Sequence, residues 1–314
     1  MVIDEKMLQD DLYGIMLKQV KNDFSDGLFD DHLLTLWNMS SHLSFLKEKD
    51  LINVWVNYRV QQQIQKLYRT QPNLFAGFKR IIGQERIEKT LALGGFFVTF
   101  QYGHDRFIPI TIANKLKGEK KFLNRIMDSA TFHLERKYPK WDDIHQLNLV
   151  DELISDRLGS DLKIPQLITK KESLFFYLDG RVGYDDAFKP VHVEFLSSMT
   201  KIPTSIFRLA VKFHKPICLV LATTNDKGEA QLIAHDLMWM HDNTMEDDAQ
   251  LLYHQFETLL LEKPEHWKNW DKPNDDEVKS LRKKKMDSQI DVYNRWGTRG
   301  FSFQSREMYD IASS

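Results

Sequence analysis

Cysteine is almost missing from this chain: Cys218 is the only one in 314 residues. An internal disulfide framework is therefore excluded, and a lone thiol suits a reducing compartment. Cys218 sits in the apolar, strand-like run Pro216-Ile217-Cys218-Leu219-Val220-Leu221, so it reads as a small core residue and not as a nucleophile. An excess of one charge is missing too. The 43 Lys and Arg face 45 Asp and Glu, net −2, which argues against general nucleic-acid binding and confines any basic surface to a local patch. No apolar run reaches the roughly 18 residues of a membrane span. Met1 to Gln19 carries Asp4, Glu5, Asp10 and Asp11 without the apolar core of a signal peptide. The expectation is a soluble, cytoplasmic protein with no transmembrane segment and at most peripheral membrane contact.

Several chemical devices are absent as well. There is no Cys–His cluster and no His-Glu-x-x-His, so no metal site is expected. No P-loop, no G-x-G-x-x-G and no G-x-S-x-G occurs, which removes the common nucleotide cradles and the ordinary α/β-hydrolase. No cofactor is expected. His133, His145, His214, His241 and His266 are scattered and read as surface or satisfied histidines.

What remains is the composition of a globular chain large enough for a sizeable core. Residues 1–93 are dominated by helical spacing, as in Leu33, Leu36, Trp37 and Leu43, then Ile52, Trp55, Val56 and Val60. Gly77 to Leu93 reads as a helix stopped by Gly94-Gly95. From Gly94 the pattern alternates. Phe96–Phe100, Leu174–Leu178 and Ile217–Ala222 read as buried strands, and Val191–Leu196 as a strand with one wet face. Ile108–Leu116, Phe122–Tyr138 and Ile206–His214 read as helices. Asn225-Asp226-Lys227-Gly228 reads as a hairpin turn into the strand Ala230–Ala234, followed by a helix over 246–262. Such alternation predicts an α/β fold: a mostly parallel central sheet covered by helices on both faces, preceded by a helical N-terminal region. The expected organisation is a helical region 1–93, a core 94–273, and a polar C-terminal appendage 274–314 with Arg282-Lys283-Lys284-Lys285 as its basic cluster.

Two buried strands end in polar residues. Phe96–Phe100 runs into Gln101-Tyr102-Gly103-His104-Asp105-Arg106, and Leu174–Leu178 runs into Asp179-Gly180-Arg181. Crevices in α/β proteins lie outside the carboxyl ends of such strands. A His beside a carboxylate can act as a general base, and an Arg can hold phosphate or carboxylate bidentately. Gln101, His104, Asp105, Arg106, Asp179 and Arg181 are expected to converge on one cleft. The bland alternative is an N-capping Asp and a solvated His in a loop.

The order of the pieces carries a resemblance. Phe175-Phe176-Tyr177-Leu178-Asp179-Gly180 is followed by Val193-Glu194-Phe195-Leu196-Ser197-Ser198, Pro203-Thr204, Leu209-Ala210, Lys215-Pro216-Ile217 and the ending Pro264-Glu265-His266-Trp267-Lys268. Over about residues 30 to 273 this resembles the lysophospholipid acyltransferase-like superfamily, within it the bacterial lipid A lauroyl/myristoyl acyltransferases. The resemblance implies an acyl group moved from a thioester on acyl carrier protein or coenzyme A to a hydroxyl or amine. It also implies a catalytic His with an acidic residue five positions later. Here Gln101 occupies the His position and Arg106 the acidic one; shifting the register to His104 puts Pro109 at the acidic one. The family's N-terminal membrane-associating segment has no counterpart.

Two readings follow. In the first, a rearranged acyltransferase uses His104, oriented by Asp105 or Asp179, as base, while Gln101, Arg106, Arg181 and Glu194 contact substrate. In the second, a non-catalytic relative binds an acyl chain or a partner protein.

Overall fold

The computed structural model of the chain describes residues 5–26, 28–29, 32–116, 122–138, 150–180, 190–272 and 289–311. Its N-terminal part is helical as the spacing predicts: α1 (Glu5–Asp26), α2 (Leu33–His42) and α3 (Glu48–Thr70), with a short strand β1 (Leu28–Phe29) before α2. Two compact units emerge, Met1–Lys6 with Gln65–Glu262 and Met7–Ile64 with Lys263–Ser314. The division falls inside α3.

The larger unit continues with β2 (Arg80–Ile82), α4 (Gln84–Leu93), β3 (Phe96–Thr99), α5 (Ile108–Ala113), β4 (Leu123–Met127), α6 (Ser129–Glu135) and β5 (Val150–Ile154). Then come α7 (Ser160–Thr169), β6 (Ser173–Tyr177), β7 (Val191–Phe195), β8 (Ser198–Ile202), α8 (Ser205–Lys212), β9 (Ile217–Thr224), β10 (Ala230–Ala234) and α9 (Met245–Glu262). Seven strands form one sheet in the order β2-β10-β9-β3-β6-β4-β5, and only the β9–β10 hairpin pair is antiparallel. The α/β fold with a mostly parallel sheet and a helical N-terminal region is the one expected. β3 is central because all of its side chains are apolar or small enough to lie under helices on both sides. Phe96, Phe97, Val98 and Thr99 are fully buried, with Phe97 in register with Phe175 on β6 and Cys218 on β9. Helix α4 packs on β6, β9 and β10, and α5 on β4, β5 and β9. The β7–β8 hairpin alternates buried and exposed residues and lies on α9.

Two local expectations need correcting. Phe122–Tyr138 is not one helix: Leu123–Met127 is fully buried strand β4, and Asp128 then caps α6 by accepting from the Thr131 amide at 2.8 Å. A segment buried all round has no amphipathic face, so its apolar residues fit helical and strand spacing equally well. Likewise Gly77–Leu93 splits into β2 and α4 at Gly83, which sits at φ +76°.

In the smaller unit, residues 289–311, part of the expected polar C-terminal appendage, carry strands that the sequence did not announce. They form β11 (Val292–Asn294), β12 (Arg299–Ser302) and β13 (Glu307–Asp310), which join β1 in a sheet of order β1-β11-β12-β13. The aromatic turn near residue 267 anchors α2 and α3. Trp270 is fully buried, its carbonyl accepts from Asn38 at 3.0 Å, and Tyr58 donates to the Lys268 carbonyl at 3.2 Å. Arg306 closes the C-terminal side by donating to the carbonyls of Leu43 and Leu46.

Gly94 is the tightest joint of the sheet. It ends α4 at φ +59°, and a Cβ there would stand 2.6 Å from the Lys171 carbonyl oxygen that precedes β6. Gly94→Ala is expected to cost about 2–4 kcal/mol, through left-handed strain plus backbone displacement, read as a lowered urea midpoint at unchanged m-value. Burial pushes the Cys218 thiol up to about 12, only partly offset by Thr90 and Arg86. The native protein should therefore resist a thiol reagent at pH 8 and react only once denaturant opens the sheet. Stoichiometric labelling without denaturant would contradict this packing.

Candidate functional site

The chain leaves β3 toward β4, which lies beyond β6, and leaves β6 toward β9, on the other side of β3. The two strands are parallel neighbours, so their carboxyl ends come out side by side at one rim of the sheet, where crevices of α/β proteins lie. The Gln101 amide donates to both carboxylate oxygens of Asp179 at 3.0 Å, so these two strand ends are tied together. Of the expected site residues, Gln101 and Asp179 do meet, but through a backbone amide.

Three further pins hold the loop after β3. Tyr102 is buried and its hydroxyl donates to the Leu259 carbonyl of α9 at 3.1 Å. Gly103 takes φ +55°, the turn that a side chain would resist. Gln65, on α3, donates from Nε2 to the Gly103 carbonyl at 2.9 Å, and the same nitrogen lies 3.3 Å from His104 Nδ1. The carbonyl contact fixes which end of the Gln65 amide faces the loop, because a carbonyl oxygen accepts only from the NH2 group. His104 Nδ1 is then placed to accept from that nitrogen. The ring is 1% exposed, with Tyr68 and Phe75 at centroid distances of 5.6 and 4.9 Å. Phe75 also stacks on Phe107 at 4.0 Å, closing the aromatic cover.

Asp105 and Arg106 turn away into a buried ionic layer. Asp105 is 3% exposed. Arg106 donates to Glu135 of α6, and Arg125 of β4 grips the same carboxylate with contacts of 2.5 and 3.0 Å. Arg125 also reaches Glu152 of β5 at 3.4 Å, and its guanidinium lies 5.5 Å from the Tyr177 ring centre. Burial pulls the Arg125 guanidinium down, but the charges of Glu135, Tyr177 and Glu152 and the hydrogen bond to Glu135 together outweigh it and hold the group above its ordinary value. Tyr177 is held well above the ordinary phenol range, first by burial and next by the Asp105 carboxylate. Arg69 is lowered by burial and by Arg106, while Asp105 and a hydrogen bond with Tyr138 pull it back. Three guanidinium groups thus face three carboxylates, Asp105, Glu135 and Glu152. Arg106 is spent on Glu135 and is not held out for a ligand.

Glu194, expected beside substrate, is exposed on β7; its backbone amide and carbonyl are bound by the Gln250 side chain of α9 at 2.7 and 2.8 Å. Arg181 and Arg282–Lys285 lie outside the described residues. Gln65, Tyr68, Arg125 and Glu135 were not singled out by the sequence. The Asp128-Ser129 capping signal could have split Phe122–Tyr138 and placed Arg125 on a strand facing its neighbours. Nothing local announces Gln65, which comes from a helix 38 residues before Gly103.

Among the described residues no three His, Cys, Asp or Glu side chains are placed to hold a metal, and no helix is long and apolar enough to cross a membrane. No protein-family model matches the chain, and no curated protein matches it.

The Glu135 pairing makes a sharp prediction. Glu135→Ala leaves two guanidinium groups without their shared carboxylate and should cost about 3–5 kcal/mol. Adding Arg125→Met should return part of that loss, because the uncompensated charge is then removed. Additive losses in urea unfolding of the single and double variants would contradict the pairing.

Proposed function

We propose that this chain uses an acyltransferase-like fold as a binding protein, one that holds the acyl chain of a thioester donor without transferring it. The burial of His104 carries this reading. A general base must come within about 2.6–3.2 Å of the proton it takes. Here Nδ1 faces Gln65, and the ring is 1% exposed under Tyr68 and Phe75. Gln101, at the position where the resemblance implies the catalytic His, has no basic lone pair to offer. Asp179, the alternative orienter, accepts from the Gln101 amide.

The binding half of the reading rests on the aromatic cover itself. Phe75 and Phe78 are half-buried, 5.2 Å apart edge to face, and Leu74 lies beside them in the sequence. An apolar wall at the carboxyl end of a parallel sheet suits an alkyl chain, whose burial contributes about 0.8 kcal/mol per methylene. Acyl carrier protein or coenzyme A would present that chain, and the lone buried thiol Cys218 is in keeping with a reducing, cytoplasmic setting.

Binding of a fluorescent dodecanoyl probe, with thiol release from a dodecanoyl thioester followed in parallel, tests both halves. Saturable binding that weakens about tenfold in Phe75→Ala, with thiol release at the buffer rate, is expected. Release accelerated by about 10²-fold or more and abolished by His104→Ala would restore the catalytic reading.

A further inference from the structure

The apolar wall beside His104 runs straight into two basic residues. Phe75 and Phe78 are half-buried, and Lys79 and Arg80 follow them, both exposed. Arg80 opens β2 at the rim that carries the His104 loop. It is in register with Gln231 of β10, which is in register with Thr223 near the carboxyl end of β9. Since β9 runs parallel to β3, that end is the carboxyl rim of the central strands. Gly77 lies between the two rings at φ +87°, and a Cβ there would meet no atom within 4 Å. The wall is open at this point.

The two cations are not consumed by the fold. Neither side chain forms an ion pair or a hydrogen bond among the described residues. Gln231, across from Arg80 on β10, is uncharged. The Lys79 amide donates to the Ala230 carbonyl at 2.9 Å, which brings the β9–β10 turn alongside with Asp226, Lys227 and Glu229. Glu229 accepts from the Asn225 side chain at 2.8 Å. Basic residues therefore outnumber acidic ones at this corner, three to two. Arg106 and Arg125 differ, because both are bound to the buried Glu135.

We propose that this site takes a free fatty carboxylate, its alkyl chain on Leu74, Phe75 and Phe78 and its carboxylate on Lys79 and Arg80. This assignment rests on the acyl-binding reading above and adds the head group to it. Spacing selects a carboxylate. Phe78 and Arg80 are two residues apart, about 7 Å at most along the chain, and a fatty acid has its charge bonded directly to the alkyl chain. In a coenzyme A thioester the nearest phosphate lies beyond the whole pantetheine arm, so chain and charge would have to be met at two separate places. A guanidinium fork donates to both carboxylate oxygens at once, and an ammonium adds a point charge beside it.

Displacement of the fluorescent dodecanoyl probe from the full chain by dodecanoate and by dodecanol tests the assignment, since the two share a chain length and only one is charged. Dodecanoate is expected to compete at least about fivefold more strongly than dodecanol at low salt, and the advantage should fade at about 0.5 M sodium chloride. Lys79→Gln with Arg80→Gln should remove the advantage and leave dodecanol competing as in the parent, a result that a misfolded variant cannot give. Dodecanol competing as well as dodecanoate, or an advantage that survives in the double variant, overturns the carboxylate site and leaves the acyl-binding reading in place. Failure of the probe to bind the parent, or of both competitors to displace it, overturns the two together.

Discussion

Strand β3 has no face and no edge open to water, and that constraint governs the larger unit. Phe96, Phe97 and Val98 are each fully buried, and the strand is paired in parallel with β6 on one edge and β9 on the other. Parallel pairing forbids hairpins, so the chain must leave and return through helices that cover both faces. The polar residues that end β3 and β6 are thereby forced out at one rim of the sheet. Gly94 sets how closely α4 can hand the chain to β3 beside the Lys171 backbone. The crevice at the rim is thus a consequence of how the centre is built.

What fills the rim decides its chemistry. The loop after β3 is tied by the Tyr102 hydroxyl, the Gln65 amide and the Asp179 carboxylate, so it has little room to bring His104 to a substrate. The charged residues that follow are consumed internally. Glu135 is shared between Arg106 and Arg125, and Glu152 adds a second contact to Arg125. Buried ionic layers of this kind contribute little net stability relative to apolar packing, yet they punish the loss of one partner heavily. They fix the arrangement of β4, β5 and α6 beneath the loop. Charge that would serve a ligand in a catalytic rim here serves the fold.

Most of the architecture was legible in the chain because buried strands declare themselves by length and by what ends them. Phe96–Phe100, Leu174–Leu178 and Ile217–Ala222 lie within or across β3, β6 and β9, and Asn225–Gly228 turns the β9–β10 hairpin. β4 was hidden because Leu123, Ile126 and Met127 also satisfy helical spacing, and a polar Asn124-Arg125 pair interrupts the apolar run. Both polar residues are buried, Arg125 by Glu135 and Asn124 by Glu172 at 2.7 Å, so their partners had to be known before the strand could be read. The same holds at the site. That His104, Asp105 and Arg106 stand together was visible; that they point into a helix side chain, an aromatic cover and an ionic layer depends on Gln65, Phe75 and Glu135 from three other elements. Strands β11–β13 went unread because each is short and their partner β1 lies at the other end of the chain.

The central claim is that His104 is a structural residue of the loop and not a base. Imidazole nitrogen-15 spectra of the intact protein at neutral pH, assigned through His104→Gln, test it most directly. The account predicts an Nδ1 that accepts a hydrogen bond which Gln65→Leu abolishes, and no change when a dodecanoyl thioester is added. A proton on Nδ1, with an unprotonated Nε2 whose signal shifts on adding the thioester, would contradict it.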